Sequence, residues 1–340
     1  MILQKYIIKI NIIFTFLVML VGRNAKAQRL YSSANTLSGV VNSSAQTGLF
    51  TGSYRIESLY FSQLQTQNIK GIQSVLLNVD APLSSFTSKD WIGVGMNIAR
   101  DVSNFAGLAT TELGVSTAYH KGLDSEHKNV LSIGGQVNYI QRTIDVSNLV
   151  FQNDLLKNNP GLDLQRLNIR NQSYFDVNIG VSIRLSPRQS TTCHIGTNIE
   201  HLFTPNNNLS IEKITKLARN FVFWGSSESF IGSHYVFNIF IYVKKLPQTT
   251  EITTHATGGI RIDEDRHIIL RGGIGYQNTG LAQILVGLDY EKIRFGITYQ
   301  TRFNYSNTNN LPDFLGMAVS YTGLIYRKPI PKPTILCPKY

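Results

Sequence analysis

Beyond its first 27 residues, this 340-residue sequence has no apolar run of the ~18 residues that a membrane-spanning helix needs. Cysteine is nearly absent. Only Cys193 and Cys337 occur, so no disulfide framework underlies the fold, and no obligatory bridge between the two is expected. Charge is scarce as well: Asp, Glu, Lys and Arg make up 16% of the chain, against about a quarter in soluble domains. Local catalytic signatures are missing, with no Gly-x-Ser-x-Gly elbow, His-Glu-x-x-His helix, Walker loop or paired Cys-x-x-Cys. Their absence excludes the enzyme classes that those motifs mark, and the chain is read as a non-enzyme that takes no cofactor and no metal. No basic stretch carries the interleaved aromatics of a nucleic-acid module, so no nucleic-acid partner is expected.

What is present begins with a secretory signal. Lys5 and Lys9 precede an apolar stretch from Ile10 to Val21, followed by Ala25-Lys26-Ala27, a small-x-small cleavage site. Residues 1–27 are therefore expected to be a cleaved, Sec-type signal peptide, with a mature chain of 313 residues starting at Gln28. Four of the 32 Lys and Arg lie in that signal and none of the 21 acidic residues does, which leaves a net charge of +7. Lumen-facing charge, or contact with acidic lipopolysaccharide, accounts for that excess.

Periodicity then indicates the fold. From Phe175 to Leu185 every odd position is apolar and every even one is polar or Gly. Eleven residues of alternation match the ~9–11 that a tilted strand needs to cross a bilayer. The polar face carries Asp176 and Arg184, which lipid would not tolerate, so it faces a barrel interior. Similar alternation recurs around Val94–Ile98, Leu131–Tyr139, Ile268–Tyr276 and Ile293–Tyr299. The sequence thus predicts an all-β transmembrane antiparallel barrel of about 14 strands, at 49–61, 70–80, 90–101, 106–121, 128–142, 172–186, 191–203, 217–229, 233–245, 251–262, 266–278, 281–290, 292–302 and 313–326. The first and eighth have broken alternation. An even count puts both chain ends on the periplasmic side, with short turns there and the long segments Thr143–Asn171, Thr204–Lys216 and Phe303–Pro312 outside. Tyr60, Phe61, Tyr119, Tyr139, Tyr174, Phe175, Phe203, Tyr276, Tyr290 and Tyr299 are expected in aromatic girdles at the two interfaces. The domain plan is a signal at 1–27, a periplasmic segment at 28–47, the barrel at 48–326 and a periplasmic tail at 327–340.

Few residues suggest chemistry. Gly272-Gly273-Ile274-Gly275-Tyr276 lies inside an alternating strand with no helix after it, which fits small barrel positions rather than a phosphate loop. His120, His194, His234, His255 and His267 project inward by parity, isolated on separate strands. The inward charges Asp176, Arg184, Glu200, Arg261, Arg271, Asp289 and Arg294 read as scattered, against the opposed charged walls of a porin. The tail from Arg327 to Tyr340 holds four prolines and cannot be a ladder strand. Its extended, basic end makes Lys332, Cys337, Pro338, Lys339 and Tyr340 the candidate partner-docking residues.

Several segments together resemble the PorP/SprF family of outer-membrane proteins associated with the type IX secretion system. They are Asn78-Val79-Asp80-Ala81-Pro82-Leu83, then Ile92-Gly93-Val94-Gly95-Met96-Asn97 leading to Asp101, Gly107 and Tyr119-His120. Leu131-Ser132-Ile133-Gly134-Gly135, Ile144-Asp145, Phe175 to Gly180, and Ile195-Gly196 to His201-Leu202-Phe203 follow. The closing Cys337-Pro338-Lys339-Tyr340 is similar to the Cys-Pro-basic-aromatic ending of many members. One departure stands out. Members usually carry an Asn-Pro-Ala-x-x-Gly element near the start, whereas this chain runs from Gln28 through Asn42 and Ala45 to Gly48 with no proline. The resemblance implies a non-enzymatic component of protein export in the outer membrane of a Gram-negative bacterium. Its implied partners are other secretion-system components and a large secreted adhesin or surface protein. The alternative reading is a porin or transporter of small solutes.

Overall fold

A computed structural model of the chain describes residues 42–64, 71–83, 89–103, 107–145, 171–206, 216–263, 266–302 and 313–325. They form a closed antiparallel barrel in which each strand pairs with its sequence neighbours and the last pairs with the first. The first half comprises β1 (Tyr54–Gln63), β2 (Ile72–Pro82), β3 (Asp90–Ser103), β4 (Leu108–Gly122), β5 (Val130–Ile144), β6 (Gln172–Arg188) and β7 (Thr191–Glu200). The second comprises β8 (Asn220–Ile231), β9 (Tyr235–Lys245), β10 (Thr250–Asp263), β11 (Ile268–Gln277), β12 (Leu281–Tyr290), β13 (Ile293–Arg302) and β14 (Phe314–Gly323). Closure runs from Tyr54 opposite Gly323 to Gln63 opposite Phe314, and it removes every sheet edge.

The pattern of burial is inverted relative to a soluble protein. Val115 and Ile274 are 61% and 66% exposed, while His120, Ser132 and Thr253 are fully buried. So continuous an apolar exterior requires lipid, and the pleat supplies it by sending alternate side chains to opposite faces. On β6, Phe175, Ile179 and Val181 face out while Asp176 and Ser182 are buried, as the alternation predicts. Aromatics mark both rims of the apolar belt: Tyr60, Tyr139 and Tyr299 at one end, Tyr119, Tyr235 and Tyr290 at the other. Tyr174 departs from the expected girdle by lining an interior cavity, and Phe61 departs from it further. It is 1% exposed and packs inside against Leu281 and Phe314.

β1 begins and β14 ends at the same end of the barrel, the turn end, where 189–190, 232–234 and 291–292 connect strands. The opposite loop end carries the segments 145–171 and 201–219. The expected asymmetry is therefore present, although most of the 143–171 segment (146–170) lies outside the described residues. Several strand limits differ from expectation, β14 ending at Gly323 rather than 326 among them, and three have a visible local cause. β1 starts at Tyr54 rather than 49, because the residues before it run inside the barrel. β7 stops at Glu200 because His201 adopts φ +57°, a left-handed turn, with Thr204 close behind at +46°. β8 begins at Asn220, and its broken alternation has a packing cause. Phe221 and Phe223 face lipid while Val222 and Trp224 face inward, packing with Phe240 and Tyr242 of β9.

The assignment of faces has a direct test. Ile179→Arg near the middle of β6 would put a charge in the lipid belt, costing ~2–4 kcal/mol. Unboiled samples should then lose the fast-migrating barrel band on a gel. Thr192→Arg points into open lumen and should assemble normally. Equal loss in both variants would mean that the faces are reversed.

Candidate functional site: an occupied lumen

The segment just before β1 forms a short turn buried inside the barrel. Ser44–Gln46 is a single 3-10 turn capped by Ser43, whose Oγ accepts a hydrogen bond from the Ala45 N–H at 3.2 Å. Residues 42–47, expected in the periplasm as part of 28–47, are buried here; 28–41 lie outside the described residues. The turn's architecture also explains the missing Asn-Pro. Ser43 occupies the cap position, which Asn and Ser fill equally well. Ser44 is the first residue of the turn, where Pro is favoured but not required. Ala45 is fully buried, and Gly48 adopts φ +74°, which suits glycine. Ser43-Ser44-Ala45-Gln46-Thr47-Gly48 thus stands at the place where the resemblance leads one to expect Asn-Pro-Ala-x-x-Gly.

The wall formed by β2 to β6 is shaped to this turn. Asp80 on β2 accepts from the Gly48 N–H at 2.6 Å and from the Arg55 Nε and Nη2 at 3.0 and 2.8 Å. Arg55 Nη2 also reaches the Gln46 carbonyl at 3.3 Å, and its guanidinium lies 4.7 Å from the centre of the Phe50 ring. On β3, Trp91 Nε1 donates to the Gly48 carbonyl at 3.1 Å. On β4, His120 Nε2 donates to the Thr47 carbonyl at 2.7 Å, and Ser116 Oγ receives the Thr47 hydroxyl at 2.9 Å. On β5, the Gly134 carbonyl accepts from Ser44 Oγ at 3.1 Å. Inward glycines provide the space. A Cβ on Gly93 would sit 1.9 Å from the Thr47 carbonyl oxygen, and one on Gly134 would sit 2.4 Å from that of Ser44. One on Gly180 would meet Ser43 Oγ at 2.2 Å.

His120 Nδ1 also meets Ser132 Oγ at 2.7 Å, the spacing of a base and its nucleophile. Because the carbonyl of Thr47 can only accept, Nε2 carries the proton, and Nδ1 of the neutral ring accepts a hydrogen bond from the Ser132 hydroxyl. Both side chains are fully buried beneath the turn, where the pair supports Thr47. Among the described residues no group of three His, Cys, Asp or Glu side chains is placed to hold a metal ion.

The register places a row of polar groups side by side: Glu57, Asn78, Asn97, Gly114, Asn138 and Asp176 lie opposite one another on β1 to β6. Gln136 Nε2 links Asn97 and Asn138 at 2.9 and 2.8 Å, across the space that Gly114 leaves free. Five of the seven inward charges that look scattered in the sequence have partners in the fold, which corrects that reading for them, while Arg184 donates to the His127 carbonyl at 2.7 Å and Arg261 lies over the Phe230 ring. Arg271 bridges Glu228 at 3.0 Å and Asp289 at 2.8 Å, and Arg294 joins Asp289 at 2.9 Å. Lys244 meets Glu200 at 2.6 Å, and His201 meets Asp176 at 2.8 Å. Three histidines sit as expected, with His120, His194 and His255 in the interior. His234 and His267 instead occupy exposed turns, His267 at φ +50°. Parity fails for these two because they lie one residue outside a strand.

Gly272–Tyr276 forms part of β11 and no phosphate loop. Cys193 Sγ, half-buried, lies 3.5 Å from Ser227 Oγ, and its thiol is free. Cys337 and the other proposed docking residues, Lys332, Pro338, Lys339 and Tyr340, lie outside the described residues.

The turn leaves cavities on both sides. Towards the turn end is a chamber of about 470 Å³ bordered by Arg55, Glu57, Trp224, Phe240, Asp289 and Arg294. On the loop side is a smaller one of about 90 Å³, lined by amides and carboxylates of β2 to β7.

Comparison with solved structures finds the same barrel in very distant sequences. The CymD monoaromatic hydrocarbon channel is 10% identical, with 89% of this chain and 95% of that chain covered and a TM-score of 0.54. The Ralstonia pickettii toluene transporter TbuX is 9% identical, with 88% and 96% covered and a TM-score of 0.53. At such identity the likeness is one of fold. None of the curated proteins matches. The family described as type IX secretion system membrane protein PorP/SprF matches residues 45–316, from the buried Ala45 of the lumen turn into the closing strand. With strand pattern, glycine-lined seat and family profile in agreement over that span, the chain belongs to the PorP/SprF family of type IX secretion system membrane proteins.

Proposed function

We propose that this protein is a non-enzymatic outer-membrane barrel of the type IX secretion system that supports export or surface attachment of large secreted proteins, adhesins among them. The family match over residues 45–316 carries the reading. Two features of the barrel favour protein contacts over free solute flow: a folded turn occupies the lumen, and most of the inward charges are paired rather than arrayed as opposed walls. The partners are other secretion-system components at the periplasmic face and a large exported protein, with lipopolysaccharide and lipid around the belt. On this reading residues 1–27 direct Sec-dependent export of the chain.

The periplasmic tail is the proposed contact. Its four prolines favour an extended conformation that loses little entropy on capture, while Lys332, Lys339 and Tyr340 supply charge and an aromatic anchor. Deleting residues 329–340 should leave a barrel of normal abundance whose secretion partner no longer co-purifies and whose exported protein no longer reaches the surface. Normal export by the truncated protein would rule out the tail as the docking element.

A further inference from the structure

The two halves of the lumen wall are satisfied differently. From β2 to β5, inward polar groups meet the turn, whereas β7 to β9 face the chamber of about 470 Å³. On β8 and β9 the register sets three inward pairs side by side. Ser226 stands opposite Phe240, with Trp224 opposite Tyr242 on the loop side of that pair and Glu228 opposite Asn238 on the turn side. An aromatic surface and a polar edge therefore adjoin on one piece of wall.

The indole at this surface is fitted to its place. Gly196 of β7 makes room for it, since a Cβ there would meet Trp224 Cζ2, Cε2 and Nε1 at 2.6, 2.7 and 2.9 Å. Trp224 borders the chamber and is 4% exposed, and its Nε1–H has no partner among the described residues. A buried indole N–H ordinarily finds an acceptor. Ser226 and Asn238 present a hydroxyl and an amide to the same space. The charges along it are compensated within the protein: Arg55 by Asp80, Glu228 by Arg271 and Arg294 by Asp289. Glu291 and Lys292, of opposite sign, complete the charged lining. The chamber thus has no excess of either sign to select an ion.

We infer that this chamber is a binding site for a neutral sugar of one or two rings. Its volume falls within the ~300–1,000 Å³ of small-molecule sites. A pyranose presents a face of C–H groups and a rim of hydroxyls. The rings of Trp224 and Phe240 suit the face, because the negative charge on an aromatic face attracts C–H groups. Ser226, Asn238 and the carboxylate of Glu228 suit the rim, and a sugar oxygen supplies the acceptor for the indole N–H. All of these groups stand on strands, so no loop is needed to complete the site. Sugar binding is additional to the secretion role and does not rest on it.

Glucose oligomers and glycans of N-acetylated amino sugars both present this chemistry. Titration calorimetry of the purified full chain, in a detergent without a sugar headgroup, tests the site with maltose, cellobiose and chitobiose. At least one should bind saturably with a Kd of about 1 mM or tighter. Preference for chitobiose would assign the ligand to amino-sugar glycans, and preference for the others to glucose oligomers; either supports the site. Trp224→Phe and Asn238→Ala, checked as heat-modifiable barrels, should each weaken that binding at least roughly fivefold, the loss that one ordinary hydrogen bond accounts for. Asn97→Ala, in the loop-side chamber, should bind like the parent. No saturable binding of any of the three sugars would overturn the inference, as would unchanged affinity in both chamber variants or an equal loss in Asn97→Ala. Glucose 6-phosphate binding roughly tenfold tighter than glucose would also overturn it, by marking an anion site.

Discussion

Asp80→Ala should destabilise the barrel by about 3–5 kcal/mol, the usual consequence of leaving a buried charge without its partner. Asp80 is 2% exposed and is the closest carboxylate to Arg55; the alternative, Glu57, lies 3.7 Å from the guanidinium. The same substitution also removes the acceptor for the Gly48 N–H, so the barrel wall and the lumen turn lose a shared anchor. Asp80→Asn keeps one acceptor oxygen and should cost clearly less. The urea midpoint of the heat-modifiable band measures both. A cost below about 1 kcal/mol for Asp80→Ala, typical of an ordinary neutral hydrogen bond, would mean that Arg55 finds water or Glu57 instead.

Gly93→Val should unseat the lumen turn without dismantling the barrel. The added Cβ would fall 1.9 Å from the Thr47 carbonyl oxygen and 2.6 Å from its carbon. Both are backbone atoms, so no rotamer change can relieve the clash, and the turn has to move. Ser44→Cys, in a chain lacking the two native cysteines, reports the movement through maleimide labelling. In the parent, Ser44 is 1% exposed and should react slowly. With Gly93→Val it should react at least roughly tenfold faster, since labelling follows the open population of a local segment. Unchanged labelling in a folded variant would show that the strand yields rather than the turn.

Much of the wall was legible before the fold was seen, because lipid on one side and polar groups on the other force period-two alternation. Strand β6 is the clearest case, with Phe175 to Leu185 placed face by face as expected. The signal weakens where the interior is itself apolar. Trp224 and Phe240 face inward, so β8 and β9 present large apolar side chains on both faces and no period emerges. The lumen turn left less trace still. Its own residues are small and polar, and the glycines that receive it, Gly93, Gly134 and Gly180, read as filler on an inward face. A cavity shaped for another segment looks the same in sequence as an empty position. The ion pairs were hidden for a different reason. Arg271 and Glu228 stand on β11 and β8, and only barrel curvature brings those non-adjacent strands together.

The attachments of the turn also bear on how the barrel is built. Apart from Arg55, the partners described above for the turn belong to β2 through β6, five consecutive strands that can pair by short hairpins and one longer connection. The seam between β1 and β14 joins the two ends of the chain and carries the greatest loop-closure entropy of any pair in the sheet. The early strands can therefore curl around the turn as a short arc while the seam is still open, using it as a mandrel that fixes their curvature. Threading the turn into a finished ring would have no such guide. The residues that fill the lumen thus occupy the position of an assembly template, at the start of the barrel domain in chain order and ahead of the strands that fold around them.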